Sequence, residues 1–158
     1  MDMNPSIHFY SVGNPLYADD GVGLAVIDAL KKIPQFETAT FFDAHTDALS
    51  LIDKFNKNGL NIIIDAARMG KPPGHVEVIQ KENVKLVIQW DHLSLHGFGL
   101  AETITLAEKI EMLPDNLWVV GIEPETIQID VPISEIITAA IPVAVNKIIN
   151  EVIENGQL

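Results

Sequence analysis

Two nearly continuous apolar runs are the features that most constrain how this chain can fold. They occupy residues 60–64 and 117–122 and consist mainly of Ile, Leu, Val and Trp. A strand that is covered on both faces has this composition, because helices pack on both sides of a parallel sheet. The two runs therefore indicate central strands of such a sheet.

Further strands and helices are predicted around these runs, in alternation. β-rich segments predict additional strands over residues 7–12, 38–42 and 75–79. Apolar residues at helical spacing predict helices over residues 22–33, 48–58, 101–110 and 134–154. Ser134 is the expected cap of the last helix, and Pro142 is expected to kink it. The alternation predicts an α/β fold, a three-layer αβα sandwich with a mostly parallel twisted sheet, in a single domain of residues 1–158.

The chain is strongly acidic, with 22 Asp and Glu residues against 10 Lys and Arg and a formal net charge of −12. Such a surface repels nucleic-acid phosphates and anionic lipids, so a basic peptide or a metal cation is a better partner. The absence of cysteine excludes a disulfide scaffold, a thiolate nucleophile and a Cys-based metal site. No signal peptide is visible, and no apolar run reaches the ~18 residues of a membrane span. We therefore expect a cytoplasmic protein without membrane association.

Acidic side chains follow three of the predicted strands. Asp19 and Asp20 come after the first, Asp43 ends the second, Asp65 ends the third, and His96 precedes a predicted helix. Ligands of open parallel sheets bind at the carboxyl ends of the strands, so these side chains are expected to meet there. Carboxylates and an imidazole suit a divalent metal ion. The alternative is structural: acids in a helix's first turn or in a loop turn, and an exposed loop histidine.

Four motifs, in order along the chain, resemble those of the hydrogenase maturation endopeptidases. They are Gly13-Asn14-Pro15-Leu16 with Asp19-Asp20-Gly21-Val22-Gly23, then Ile63-Ile64-Asp65-Ala66 with Pro73-Gly74, then His96-Gly97-Phe98-Gly99-Leu100-Ala101-Glu102, and Val120-Gly121-Ile122-Glu123-Pro124-Glu125. The resemblance covers almost the whole chain. It implies an endopeptidase that trims the C-terminus of the large subunit of a nickel–iron hydrogenase.

The resemblance also implies a ligand set. Asp20, Asp65 and His96 would bind nickel that is already loaded in the hydrogenase large-subunit precursor, so that the metal reports completed loading. Asp19 is then a helix-start acid or a neighbour of the ligands. Glu123 either lines the site or has a structural role near a strand end.

One segment departs from the family pattern. After the second strand the family usually has Asp-Gly-Gly-Thr, whereas this chain has Asp43-Ala44-His45-Thr46. Two glycines permit backbone shapes that Ala and His restrict. His45 is either an added ligand, a substrate contact or a solvated loop residue. Asp43 is our candidate general base for a water that attacks the scissile carbonyl.

Two other functions share parts of this pattern. A phosphoacceptor receiver domain also carries paired acids after its first strand and an Asp after its third, but it needs a Lys after the last strand. Here the residues at that position are Glu123-Pro124-Glu125. A catalytically silent, metal-binding or chaperone-like relative would use the same pocket to hold a client without cleaving it.

Overall fold

Five strands form one sheet in the computed structural model, which describes residues 4–88 and 99–156. The strands are β1 (Ile7–Ser11), β2 (Thr40–Asp43), β3 (Leu60–Ala66), β4 (Val76–Gln80) and β5 (Leu117–Ile122). Their order is β2-β1-β3-β5-β4, and all neighbours are parallel except β4, which runs antiparallel to β5. The two apolar runs are β3 and β5, paired inside the sheet. The predicted mostly parallel sheet is confirmed.

Helices cover both faces of this sheet. They are α1 (Val22–Leu30), α2 (Leu51–Lys54), α3 (Val84–Val87), α4 (Leu100–Lys109) and α5 (Glu135–Glu154). Successive strand residues point to opposite faces, so Ile62 and Ile64 of β3 pack in one apolar cluster and Ile63 in the other. The first cluster includes residues of α1 and α5, and the second includes residues of α2, α3 and α4. The predicted three-layer αβα sandwich is confirmed.

Several element bounds differ from those that the sequence predicts. Helix α2 has only four residues, because it begins after a 3-10 turn at 48–50 and Phe55 already has extended backbone angles. The short helix α3 lies in a stretch for which no regular element was predicted. Strand β3 continues to Ala66, one residue beyond Asp65, at which the sequence predicts its end.

Helix α5 differs from its prediction at its start. Ser134 occupies the N-cap position, but its hydroxyl makes no capping hydrogen bond and donates to Asp19 instead. Among the described residues, α5 is one helix whose length and hydropathy would suffice to span a membrane, although no such segment was predicted. Core helices meet the same criteria, and Ile137, Ala144 and Ile148 of α5 are buried in the first cluster. The finding is therefore weak evidence for a membrane span.

Candidate active site

The strand order places a topological switch point between β1 and β3. The connection from β1 passes through α1 to β2 on one side, whereas the chain after β3 continues to β4 and β5 on the other side. Neighbouring parallel strands whose connections leave in opposite directions open a crevice at their carboxyl ends. Any ligand site of this sheet is therefore expected where β1 and β3 end.

Asp20 and Asp65 lie at this switch point. The Val12 amide donates to the Ile64 carbonyl oxygen (3.2 Å), so the end of β1 lies beside the residue preceding Asp65. The turn that carries Asp20 packs back onto the end of β1, since a Cβ on Gly13 would lie 2.0 Å from the Asp20 carbonyl oxygen. Asp20 is buried (8% exposed), and its Oδ2 accepts a hydrogen bond from the Asn14 amide (2.8 Å).

The start of α1 is pressed against the same two strand ends. A Cβ on Gly23 would lie 2.5 Å from the Ile64 carbonyl oxygen and 3.2 Å from that of Val12. Only a residue without a side chain permits this approach, and the approach fixes the first turn of α1 over β3. The glycine thereby lets the helix start that follows the Asp20 turn lie beside the end of β3.

Asp19 is fully buried and serves a different part of the molecule. Its carboxylate accepts hydrogen bonds from the amides of Glu125, Thr126 and Ser134 (2.8–2.9 Å) and from the Ser134 hydroxyl (2.9 and 3.0 Å). Four donors compensate the loss of solvation that burial of a carboxylate entails. Asp19 therefore fastens the loop between β5 and α5 to the Asp20 turn, a role beyond that of a helix-start acid.

Asp43 lies one strand further from the switch point. It is exposed and pairs in register with Ser11 of β1, whose hydroxyl donates to Asp43 Oδ1 (3.0 Å). Because β1 separates β2 from β3, and neighbouring strands are about 4.8 Å apart, the Asp43 and Asp65 backbones lie roughly 10 Å from each other.

The loop after Asp43 is fastened to the site despite its lack of glycines. The His45 amide donates to Asp43 Oδ1 (2.8 Å), and the His45 carbonyl accepts a hydrogen bond from the Gly13 amide (2.7 Å). His45 has a φ of +56°, in the left-handed region that glycine adopts more easily. His45 thus adopts a backbone conformation that the glycines of the family pattern would adopt with less strain. The His45 side chain is exposed.

Glu123 holds the segment that follows Asp65. This residue is buried (5% exposed), and its Oε1 accepts hydrogen bonds from the amides of Met69 (2.7 Å) and Lys71 (3.0 Å). Its own backbone pairs with His75 and Gly74. Glu123 is therefore an anchor of the loop over residues 67–75, and its described hydrogen bonds belong to this structural role.

Arg68 is a residue of this loop that the motifs did not single out. It is half-buried and lies between Ala67 and Met69, which are both buried against the second cluster. Its Nε is shielded from solvent and has no hydrogen-bond partner among the described residues. The sequence does carry a signal for it, because Arg68 is the single arginine of the chain and follows Asp65 by three residues.

The third predicted ligand, His96, lies outside the described residues. Within residues 4–88 and 99–156, no group of three His, Asp or Glu side chains could hold a metal ion. The structure therefore brings the segments that carry two of the three predicted ligands, Asp20 and Asp65, to the same edge of the sheet, and the nickel site stays a prediction. The described donors are carboxylate oxygens, which suit a divalent ion when an imidazole completes the set.

Comparison with known proteins shows to which protein family this chain is similar. Residues 24–151 match the model of the HycI family, described as hydrogenase maturation protease. Among curated proteins, the chain is 28% identical over 125 residues to the hydrogenase expression/formation protein HupD of Thiocapsa roseopersicina, covering 78% of this chain and 57% of that protein. It is 29% identical over 147 residues to HupD of Rhizobium leguminosarum bv. viciae, covering 89% and 73% respectively. The chain thus spans little more than half of the first of these relatives.

Among solved structures, the hydrogenase maturating endopeptidase HybD of E. coli shares this fold. Its TM-score is 0.80 at 24% identity, with 96% of this chain and 94% of that chain covered. At this identity the likeness shows the fold. The family model, in turn, matches most of the sequence. The chain belongs to the hydrogenase maturation protease family.

Proposed function

We propose that this chain is an endopeptidase that removes the C-terminal extension of a nickel-loaded [NiFe]-hydrogenase large-subunit precursor. The observation that carries the proposal is that the turn with Asp20 and the start of α1 lie beside the end of β3, next to Asp65, in a chain that belongs to the hydrogenase maturation protease family. The nickel arrives with the precursor and is therefore part of the substrate. We propose His96 as the third ligand, beside the two carboxylates.

Recognition of the nickel would make cleavage conditional on loading. Two carboxylates in one crevice repel each other, and a divalent cation between them relieves this repulsion. A precursor without nickel would leave the repulsion in place and would bind less well. The acidic chain, with its formal net charge of −12, also favours a basic peptide segment near the cleaved bond.

The cleavage step we propose is direct hydrolysis. A water oxygen attacks the scissile carbonyl carbon while Asp43 accepts the water's proton, and the proton then passes to the leaving amine as the C–N bond breaks. Asp43 suits this role because its carboxylate is accessible while Oδ1 is held by Ser11 and by the His45 amide. A covalent acyl intermediate on cysteine is excluded, because the chain has none.

The test is processing of purified nickel-loaded precursor, followed as a size shift. Asp20→Ala, Asp65→Ala and His96→Ala are expected to lower the processing rate more than about 100-fold, since each removes a ligand of the recognised metal. Asp43→Asn should lower the rate at saturating precursor more than it weakens binding. Asp28→Asn is the matched control, because Asp28 is an exposed acid on α1.

Two results would contradict the proposal. Normal processing by the three alanine variants would show that Asp20, Asp65 and His96 do not form the site. Tight binding of the precursor without any cleavage by the wild-type chain would instead favour a catalytically silent relative that holds its client. A cytoplasmic location and the absence of nucleic-acid and membrane partners stay predictions from the sequence.

A further inference from the structure

We propose that Arg68 binds an oxygen of the precursor peptide beside the cleaved bond and so positions the substrate. The inference rests on the proposed function, because it assumes that a peptide enters the crevice at Asp65. It goes beyond that function by naming a specificity-determining residue on the loop over residues 67–75. The oxygen is either a main-chain carbonyl or a carboxylate of the extension.

The unpaired donor is the first observation. A guanidinium carries five N–H donors and stays charged at all physiological pH values. The Arg68 Nε is shielded from solvent without an acceptor among the described residues, and none of their ion pairs includes Arg68. Folded proteins rarely leave such a donor unmatched, and a bound ligand is one group that can complete it.

The rigid support of Arg68 is the second observation. The Ala67 amide donates to the Ile122 carbonyl oxygen (2.9 Å), and Glu123 accepts the amides of Met69 and Lys71. A Cβ on Gly121 would lie 2.9 Å from the Met69 sulfur, so this part of the loop is packed closely onto β5. The Ala67 bond to β5 fixes the backbone before Arg68, and the buried acid Glu123 fixes the backbone after it. A donor held in this way is preorganised, which lowers the entropic cost of binding.

The charge distribution is the third observation. Arg68 is the single arginine of a chain with a formal net charge of −12, and it follows the proposed ligand Asp65 by three residues. A peptide that presents nickel to Asp20 and Asp65 must run past this edge of the sheet. Its carbonyl and carboxylate oxygens would be repelled by the acids, whereas the guanidinium offers them a planar pair of donors.

The test compares Arg68→Met and Arg68→Lys with the wild-type chain. Methionine keeps an unbranched stem but removes all donors, and lysine keeps the charge but loses the planar fork. Affinity for the nickel-loaded precursor is measured by titration, and processing by the KM and kcat of cleavage. We expect Arg68→Met to raise both the dissociation constant and KM about 10-fold to 100-fold with a smaller change in kcat, and Arg68→Lys to lie between.

Lys71→Met is the matched control, since Lys71 is an exposed cation on the same loop and should change affinity less than about two-fold. Thermal unfolding separates positioning from a structural role. Removal of an unpaired donor should leave the melting temperature unchanged or higher. A clear fall in melting temperature for Arg68→Met, or an affinity and KM equal to those of the wild type, overturns the inference.

Precursor variants identify the oxygen. If amides replace the acidic side chains of the extension and the Arg68→Met effect disappears, the acceptor is a carboxylate; if the effect persists, it is a main-chain carbonyl. Both results support the inference. Failure of the proposed function has a different result. If the wild-type chain binds the precursor through Arg68 but never cleaves it, the proposed peptidase activity is wrong and the role of Arg68 in binding stands.

Discussion

His45 shows how a single residue can keep a backbone shape for which it is poorly suited. Its φ of +56° lies where a side chain crowds the backbone, at a cost of roughly 1–2 kcal/mol. Two contacts offset this cost, since the amide donates to Asp43 Oδ1 and the carbonyl accepts from Gly13. The side chain itself is exposed.

We predict that His45→Gly stabilises the folded chain by about 0.5–1 kcal/mol, because relief of strain exceeds the entropy that glycine loses on folding. Urea unfolding measures the change, and the melting temperature should rise by roughly 1–4 °C. Thr46→Gly is the control, since Thr46 has no positive φ and should lose stability. Unchanged processing of the precursor by His45→Gly would show that the imidazole neither binds nickel nor contacts the substrate.

Asp19 and Asp20 are neighbours in sequence with different tasks, which their position alone does not reveal. The partners of Asp19 lie in the segment from Glu125 to Ser134, more than a hundred residues away. No local pattern encodes such pairing, so the sequence predicts a helix-start acid where the structure has a tertiary anchor. The placement of the Asp20 and Asp65 backbones was easier to predict, because strand-end position alone brings them to the same edge.

At the scale of elements, the site depends on how closely α1 approaches β3. The contact is made by Gly23, whose missing side chain lets the helix start lie on the Ile64 carbonyl. Asp20 precedes this contact by three residues on one side, and Asp65 follows Ile64 on the other. A change in the helix–strand distance would therefore change the separation of the two carboxylates.

We predict that Gly23→Ala weakens processing more strongly than it weakens the fold. The new Cβ must move about 1 Å away from the Ile64 oxygen to reach ordinary contact, at a cost of about 1–3 kcal/mol that higher helix propensity partly offsets. Displacement of the Asp20 turn should then lower the processing rate at least 10-fold. Asp28→Ala on the exposed face of α1 should change neither quantity by much. Equal processing by Gly23→Ala and wild type would show that the helix distance does not control the site.

The elements that the sequence predicted well are those with a strong local signal. The apolar runs became β3 and β5, and helical spacing identified α1, α4 and α5. The antiparallel direction of β4 was not predicted, because alternation reports a half-exposed strand but not its direction. Arg68 was missed because no motif contains it; only its uniqueness in the chain marks it.

At the scale of the whole molecule, Tyr10 of β1 contacts both a helix and a neighbouring strand. Its ring is buried in the second cluster, 5.6 Å from the Phe55 ring. Its hydroxyl lies within hydrogen-bonding distance of the Lys54 carbonyl oxygen (3.0 Å) and Asn61 Oδ1 (2.7 Å). The residue therefore connects β1 with the end of α2 and the start of β3, and loss of its proton would affect the cooperative unfolding of the domain.

Burial raises the pKa of Tyr10 from 10.0 to about 12. Because the folded-state pKa exceeds the unfolded one, the unfolded chain loses its proton first as the pH rises. The contribution of the neutral phenol to stability is therefore complete below pH 10 and is lost progressively between pH 10 and pH 12. We predict a fall in the free energy of unfolding over this interval, measured by urea titration at successive pH values.

Tyr10→Phe isolates this effect, since it removes the ionisable proton while it keeps the ring. At neutral pH it should cost about 1 kcal/mol for the lost hydrogen bonds. Above pH 10 its stability should fall less steeply than that of the wild type, so that the two curves converge. Lysines that titrate in the same interval are common to both proteins and cancel in the difference. Tyr17→Phe, which removes the other tyrosine hydroxyl of the chain, is the matched control. Parallel curves for Tyr10→Phe and wild type would show that the buried phenol does not govern the alkaline limit of this fold.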